Sequence, residues 1–134
     1  MITVGTDIID IARITKKRDA IISRVLIDKE CEYCLNSGDP NQSLAGHFAA
    51  KEAVYKALRI SNDNGISWKD IEITHQNSGV PYVILHNKAK EYASSNGMID
   101  IQISISHVKD FATATAVCEW EPVSVRPDSG KTET

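Results

Sequence analysis

No apolar run in the 134-residue chain approaches the ~18 residues that a membrane-spanning helix needs. The opening "MITVGTD" has no basic segment ahead of an apolar one, so we expect neither a secretory leader nor a membrane partner. Cysteine is scarce, at three residues, and the odd count fits a reducing cytoplasm better than a disulfide framework. No internal repeat is present, which excludes a solenoid or propeller. Aromatic residues do not interleave with the basic ones and the pI is about 5.8, which argues against a nucleic-acid partner. The expectation is a cytoplasmic protein.

What remains is an ordinary globular composition in a length that suits one domain. Such a chain buries enough surface for a core without covalent staples. Its charge, -3 in total, is unevenly placed. The stretch "RITKKRDAIISR" sets Arg13, Lys16, Lys17, Arg18 and Arg24 against Asp19 alone, inside an otherwise acidic chain. That is either a solvated helix face or a patch that steers an anionic partner.

The period changes along the chain. "ITVG" reads as a short strand stopped by Gly5, and "DIARI" with the bases after it as one helix. "DKECEYCL" reads as a second helix capped by Asp28, and residues 43 to 59 as a third. After these come strands at "WKDIEIT" and "PYVIL" across a turn at "HQNSGV". "NKAKEYASSNG" reads as a short helix with an Asn87 cap and terminal Gly97. In "IDIQISIS", Ile99, Ile101, Ile103 and Ile105 alternate strictly with polar residues, and "HVKD" turns the chain back into "FATATAVCEW". Strands and helices mix without regular βαβ units, which predicts an α+β fold with an antiparallel sheet. The domain is expected over residues 1–120, with 121–134 a mobile tail lacking any period.

Several short motifs carry possible chemistry. On the third helix Ala50, Ala53, Val54, Ala57 and Leu58 form a buried stripe, and Phe48, Glu52, Tyr55, Lys56 and Arg59 a second. Glu52 and Lys56 stand at i and i+4, an arrangement worth only ~0.2–0.5 kcal/mol as a surface pair. "VGTDIID" places Asp7 and Asp10 beyond a glycine, where a carboxylate either caps a helix or joins a Mg²⁺ site. Cys31 and Cys34 have C-x-x-C spacing but no second pair, so packing is the better reading, as it is for Cys118 on a strand. His75 and His86 lie near turns without a signal. His47 opens the third helix, where it would cap or meet a phosphate, and His107 ends the alternating strand. "GVP", Gly79 to Pro81, is a hairpin turn or a close backbone approach to a ligand.

In order, "VGTDIIDIARI", "GHFAAKEAVYKAL", "SGVPYVIL" and "ISISH" closely resemble the holo-acyl-carrier-protein synthases, the small type of 4′-phosphopantetheinyl transferase, from about residue 2 to 119. The family's G-x-D is present, and its F-x-x-K-E-x-x-x-K-A motif is complete from Phe48 to Ala57. The resemblance implies transfer of 4′-phosphopantetheine from coenzyme A to a serine of an apo acyl carrier protein, with Mg²⁺, releasing adenosine 3′,5′-bisphosphate. It implies Asp7 and Glu52 as metal ligands and Lys56 and His107 at the coenzyme A diphosphate. It also puts Gly79 and Pro81, with Ser106 nearby, against the nucleotide. Arg13, with Lys17 and Arg24, would face the acidic carrier protein, and a single-unit chain would form a homotrimer with sites between subunits. Glu52 is the candidate base.

Three positions depart from the family pattern. Arg59 stands where glycine is common, His47 where arginine is usual, and Val108 where a hydroxyl or acidic residue is frequent. These departures keep open a non-catalytic module of the same fold that binds coenzyme A or an acidic protein. A Mg²⁺-dependent hydrolase of nucleotide diphosphates is the remaining alternative.

Overall fold

The computed structural model describes residues 1–60 and 65–122. Most of the expected tail, residues 123–134, lies outside the described residues. Strand β1 (Ile2–Asp10) leads into α1 (Ile11–Lys16), α2 (Arg18–Arg24), α3 (Asp28–Leu35) and the long α4 (Pro40–Ala57). A 3-10 turn at Trp68–Asp70 precedes β2 (Ile71–His75) and β3 (Pro81–Leu85), and the chain ends in α5 (Asn87–Ser95), β4 (Met98–His107) and β5 (Phe111–Trp120). One antiparallel sheet has the order β1-β5-β4, and β2 and β3 form a separate hairpin. The architecture is α+β, as the mixed periodicities predict.

α4 lies across the three-stranded sheet because the sequence keeps both surfaces small. Its alanine stripe is fully buried at Ala49, Ala50, Ala53 and Ala57, and β5 answers with buried Ala112, Ala114 and Ala116. Side chains this short let backbones approach closely. Gly5 takes this furthest: a Cβ there would fall on the Ala53 carbonyl oxygen and 2.7 Å from the Ala57 nitrogen. The glycine expected to stop the first strand therefore sits in its middle, and β1 runs on to Asp10. Thr3 fixes the same crossing, donating to the Ala57 carbonyl at 2.6 Å while accepting from the Trp120 indole at 2.8 Å.

Other boundaries differ from expectation for local reasons. The basic stretch forms two short helices, because Lys17 leaves helical geometry at φ -106°, ψ 17°. Ile27, not Asp28, occupies the α3 N-cap, and its N–H is satisfied by the Glu30 carboxylate at 3.0 Å. α4 starts at Pro40 behind the Asp39 cap, so His47 lies two turns inside the helix and caps nothing. Asn87 is not a cap either; it adopts φ 49° and donates to Asp70 at 3.2 Å. A register shift between Met98 and Asp100 turns Ile99 outward, while Ile101, Ile103 and Ile105 pack on the core as the alternation predicts. Gly97 does follow α5, at φ 75°. Cys31, Cys34 and Cys118 are unbridged, and Cys34 and Cys118 are buried, so the C-x-x-C spacing serves packing.

Candidate active site

The two aspartates of "VGTDIID" end in different surroundings. Asp10 ends β1 and caps α1, accepting from Ala12 and Arg13 at 3.0 and 3.3 Å. Asp7, on the inward face of β1, points at α4, where Glu52 and Lys56 project one turn apart. Lys56 Nζ donates to Asp7 Oδ1 at 3.1 Å and to the Thr6 carbonyl at 3.0 Å. The cation of the expected i, i+4 pair is thus bound to the neighbouring strand.

Glu52 and Asp7 form an uneasy pair of carboxylates. Burial, then the charge of Asp7 and a hydrogen bond with it, push the Glu52 carboxyl up to about 7, against the opposing pull of Lys56. Asp7 Oδ2 is buried with no hydrogen-bond partner. Two clustered carboxylates with an orphaned oxygen suit a hard divalent cation. No group of three or more histidine, cysteine or acidic side chains is placed to hold a metal among the described residues. Mg²⁺ takes one or two carboxylates and completes its shell with phosphate and water, so Asp7 and Glu52 have the donors to hold it.

A second constellation lies at the other edge of the sheet. Gly79, Pro81 and His107 line a cavity of about 220 Å³ together with Tyr33, His47 and His75. Gly79 adopts φ 91°, closing the turn with an N–H donated to the Gln76 carbonyl at 2.8 Å. His107 is carried there by the alternation of β4, along with Ile105. Ser106 points to the opposite face of that strand and is not among the residues lining the cavity.

The two constellations do not merge. Asp7 and Ile105 flank Ala114 from opposite sides in the register, and none of Asp7, Glu52 or Lys56 lines the cavity. Arg13, Lys17 and Arg24 are exposed on α1, α2 and the joint between them, and α1 continues directly from β1, which carries Asp7.

Sequence reasoning missed the polar centre behind the cavity. Lys51, fully buried, donates to Glu30 at 2.8 Å and to the Trp68 and Ile71 carbonyls at 2.9 and 2.7 Å. Glu30 also accepts from the Ile73 amide at 3.0 Å, so the pair ties α3, α4 and β2 together. Burial alone would raise the Glu30 carboxyl, but His47, Lys51 and the Ile27 amide outweigh it and hold it below the usual carboxylate range. Nothing in the spacing of "DKECEYCL" marks Glu30, whose partners come from distant segments.

The departures also find their places. Arg59 lies just beyond the α4 C-cap at φ 60°, the left-handed position that glycine fills most easily, and its carbonyl accepts from Tyr92 at 3.0 Å. Val108 is exposed in the β4–β5 turn, where its amide donates to the Phe111 carbonyl.

The α+β fold thus carries a carboxylate pair and a lysine at one edge of its sheet and an imidazole-lined cavity at the other, and the comparisons with known proteins place it among transferases. The sequence profile of the 4′-phosphopantetheinyl transferase superfamily matches residues 3–116. The chain is 44% identical over 122 residues to a holo-[acyl-carrier-protein] synthase of Moorella thermoacetica, covering 89% of this chain and 94% of that one. A solved synthase from Helicobacter pylori in complex with coenzyme A matches with TM-score 0.74 and 33% identity, over 87% of this chain and 99% of that one. The synthase of Neisseria meningitidis gives 0.81 and 30%, over 89% and 99%. The chain belongs to the 4′-phosphopantetheinyl transferase superfamily, in its small holo-[acyl-carrier-protein] synthase group.

Proposed function

We propose that this enzyme transfers 4′-phosphopantetheine from coenzyme A to a serine hydroxyl of an apo acyl carrier protein, with Mg²⁺, and releases adenosine 3′,5′-bisphosphate. The observation that carries this reading is the grouping of Asp7, Glu52 and Lys56, with one buried carboxylate oxygen of Asp7 lacking a partner. Asp7 and Glu52 would hold Mg²⁺, which supplies polarisation of the diphosphate and neutralises charge developing on it. Lys56, its side chain 54% exposed beside Asp7, would turn to a phosphate oxygen and stabilise the departing bisphosphate. The serine oxygen forms the new P–O bond as the bond to the bisphosphate leaving group breaks; Glu52 accepts the serine proton. Phosphoryl transfer of this kind depends on positioning and charge more than on covalent catalysis. His107, Gly79 and Pro81 would hold the donor nucleotide.

The divided site supports a homo-oligomer, a trimer in the family pattern, in which the acidic edge of one subunit meets the cavity edge of the next. The outward face of β1 and β5 supports it too, with Ile2, Val4, Ile8, Phe111 and Val117 exposed. Arg13, Lys17 and Arg24, beside the acidic edge, are the surface for an acidic carrier protein. Three unbridged thiols favour the cytoplasm. No helix among the described residues is long and apolar enough to cross a membrane.

The test mixes the protein with coenzyme A, Mg²⁺ and apo carrier protein and follows the intact mass of the carrier. A phosphopantetheine mass gain that stops on adding a chelator is the expected result. Binding of coenzyme A without any gain would leave a binding module instead, and cleavage without carrier modification a hydrolase.

A further inference from the structure

Strand β1 turns three residues in succession toward α4, and the middle one has no side chain. Thr3, Gly5 and Asp7 share the inward face, because alternate positions on a strand point the same way. Thr3 meets the end of the helix, donating to the Ala57 carbonyl at 2.6 Å. Asp7 meets Lys56 at 3.1 Å and hydrogen-bonds with Glu52. Gly5 lies between them, buried against the helical turn that runs from Ala53 to Ala57.

Glycine is needed here for space and not for conformation. The left-handed glycines among the described residues are Gly65, Gly79 and Gly97, so the strand backbone at Gly5 would suit any residue. A Cβ at Gly5 would overlap the Ala53 carbonyl oxygen and lie 2.7 Å from the Ala57 nitrogen and 3.0 Å from Lys56 Cβ. The two nearest of these atoms are backbone, so no change of rotamer relieves them. To regain ordinary contact at about 3.5 Å, this turn of α4 would recede from β1 by on the order of 1 Å. Glu52 and Lys56 ride on the same turn, and Asp7 stands two residues along the strand. The neighbouring strand is kept equally low: in register, Ala116 faces Gly5 and Ala114 faces Asp7.

We infer that Gly5 is a positioning residue for the metal. By letting α4 rest on the bare backbone of β1, it sets the gap between the Asp7 and Glu52 carboxylates to suit Mg²⁺ and not Ca²⁺. This rests on the reading proposed above, in which those two carboxylates hold Mg²⁺. Mg²⁺ binds oxygen at about 2.0–2.1 Å in a strict octahedron, whereas Ca²⁺ takes about 2.3–2.6 Å in irregular shells. A helix raised by one methyl group opens the gap by on the order of 1 Å, more than the difference between the two ions. Thr3 acts on the same crossing in another way. Its hydrogen bond holds the helix end down but adds no thickness beneath Glu52. The two residues therefore separate metal spacing from simple cohesion.

Metal binding by the full chain, without coenzyme A or carrier, tests this. Bound Mn²⁺ is followed through the relaxation of water protons, and Mg²⁺ or Ca²⁺ is titrated in to displace it. The parent should bind Mg²⁺ about tenfold more tightly than Ca²⁺. Gly5→Ala, checked for an intact melting transition, should lose about tenfold in Mg²⁺ affinity and bind Ca²⁺ at least as well as Mg²⁺. Adding Asp7→Glu to Gly5→Ala lengthens the ligand by one methylene and should recover part of the lost Mg²⁺ affinity. Thr3→Val should melt at a lower temperature than the parent yet keep its order of metals.

A parent that binds Ca²⁺ as tightly as Mg²⁺ would overturn the inference, even if Gly5→Ala failed to fold. So would a folded Gly5→Ala that keeps the parent's preference, a double variant no better than the single one, or a Thr3→Val that loses the preference equally. Mg²⁺-dependent carrier modification by the parent would still stand in each case, which separates the inference from the reading beneath it. Failure of all three ions to bind, with no mass gain on the carrier, would overturn both.

Discussion

Lys51 and Lys56 sit five residues apart on one helix and within one motif, yet they end in opposite environments. Five residues advance the helix by about 140°, so one lysine faces the protein and the other the edge of the sheet. Lys51 is fully buried against Glu30 and two carbonyls, while Lys56 is half exposed and tied to Asp7 and the Thr6 carbonyl. The first is a joint between α3, α4 and β2; the second is a cation held ready beside two carboxylates. A motif that reads as a single signature therefore combines a buried residue of the core with one held at the sheet's edge.

The contrast breaks most sharply at Lys51. Lys51→Met leaves Glu30 charged and buried, a kind of change that costs about 3–5 kcal/mol, and should lower the melting temperature by roughly 10 °C or more. A melting temperature within 2 or 3 degrees of the parent would place Lys51 outside the fold's support. Glu52→Gln should do the reverse: carrier modification falls by about 10³-fold, while the melting temperature holds or rises because a carboxylate beside Asp7 is removed. Coenzyme A and Mg²⁺ binding with a full single-turnover rate in that variant would remove Glu52 as the base.

Lys56→Ala should lower turnover by about 10²-fold and change stability by less than ~1 kcal/mol, since the lysine end of its pair with Asp7 is about half exposed. An equal loss of stability at Lys56 and Lys51 would erase the comparison. Away from α4, Arg13→Glu with Lys17→Glu should raise KM for the carrier by about tenfold and leave the Kd for coenzyme A unchanged. An unchanged KM removes the basic surface from carrier docking. The smallest effect belongs to Arg59→Gly, which should stabilise the protein by ~1 kcal/mol by relieving a left-handed backbone. A gain in coenzyme A affinity without a gain in stability would instead make Arg59 a residue of the donor site.

The elements and the two side-chain clusters are legible in the sequence to different degrees. Alternation gave β4 and β5 nearly whole, and helical spacing gave the buried stripe of α4, because those patterns reflect which face meets the core. Gly5 misled for a physical reason. A glycine can end a strand or admit a neighbouring backbone, and only the crossing of α4 shows that it does the latter. The periodic stretch puts His47 at a helix start, because the Asp39–Pro40 cap lies ahead of that stretch. Ser106 and His107 are neighbours in sequence but face opposite sides of β4, since adjacent positions on a strand point opposite ways.

Glu30 and His75 had no signal at all. Each acquires its meaning from a partner distant in sequence, Lys51 in one case and His47 in the other. By itself the sequence determined the α+β class, the alternating strand that carries His107, and the motif that joins Glu52 to Lys56. Local periodicity and short-range spacing are enough to encode those. The tertiary structure decided that Asp7 takes Lys56 from Glu52, that Lys51 is a buried joint, and that the acidic pair and the imidazole cavity stand on opposite edges of one sheet. Those outcomes depend on which strand lies beside which helix, and no spacing along the chain records that.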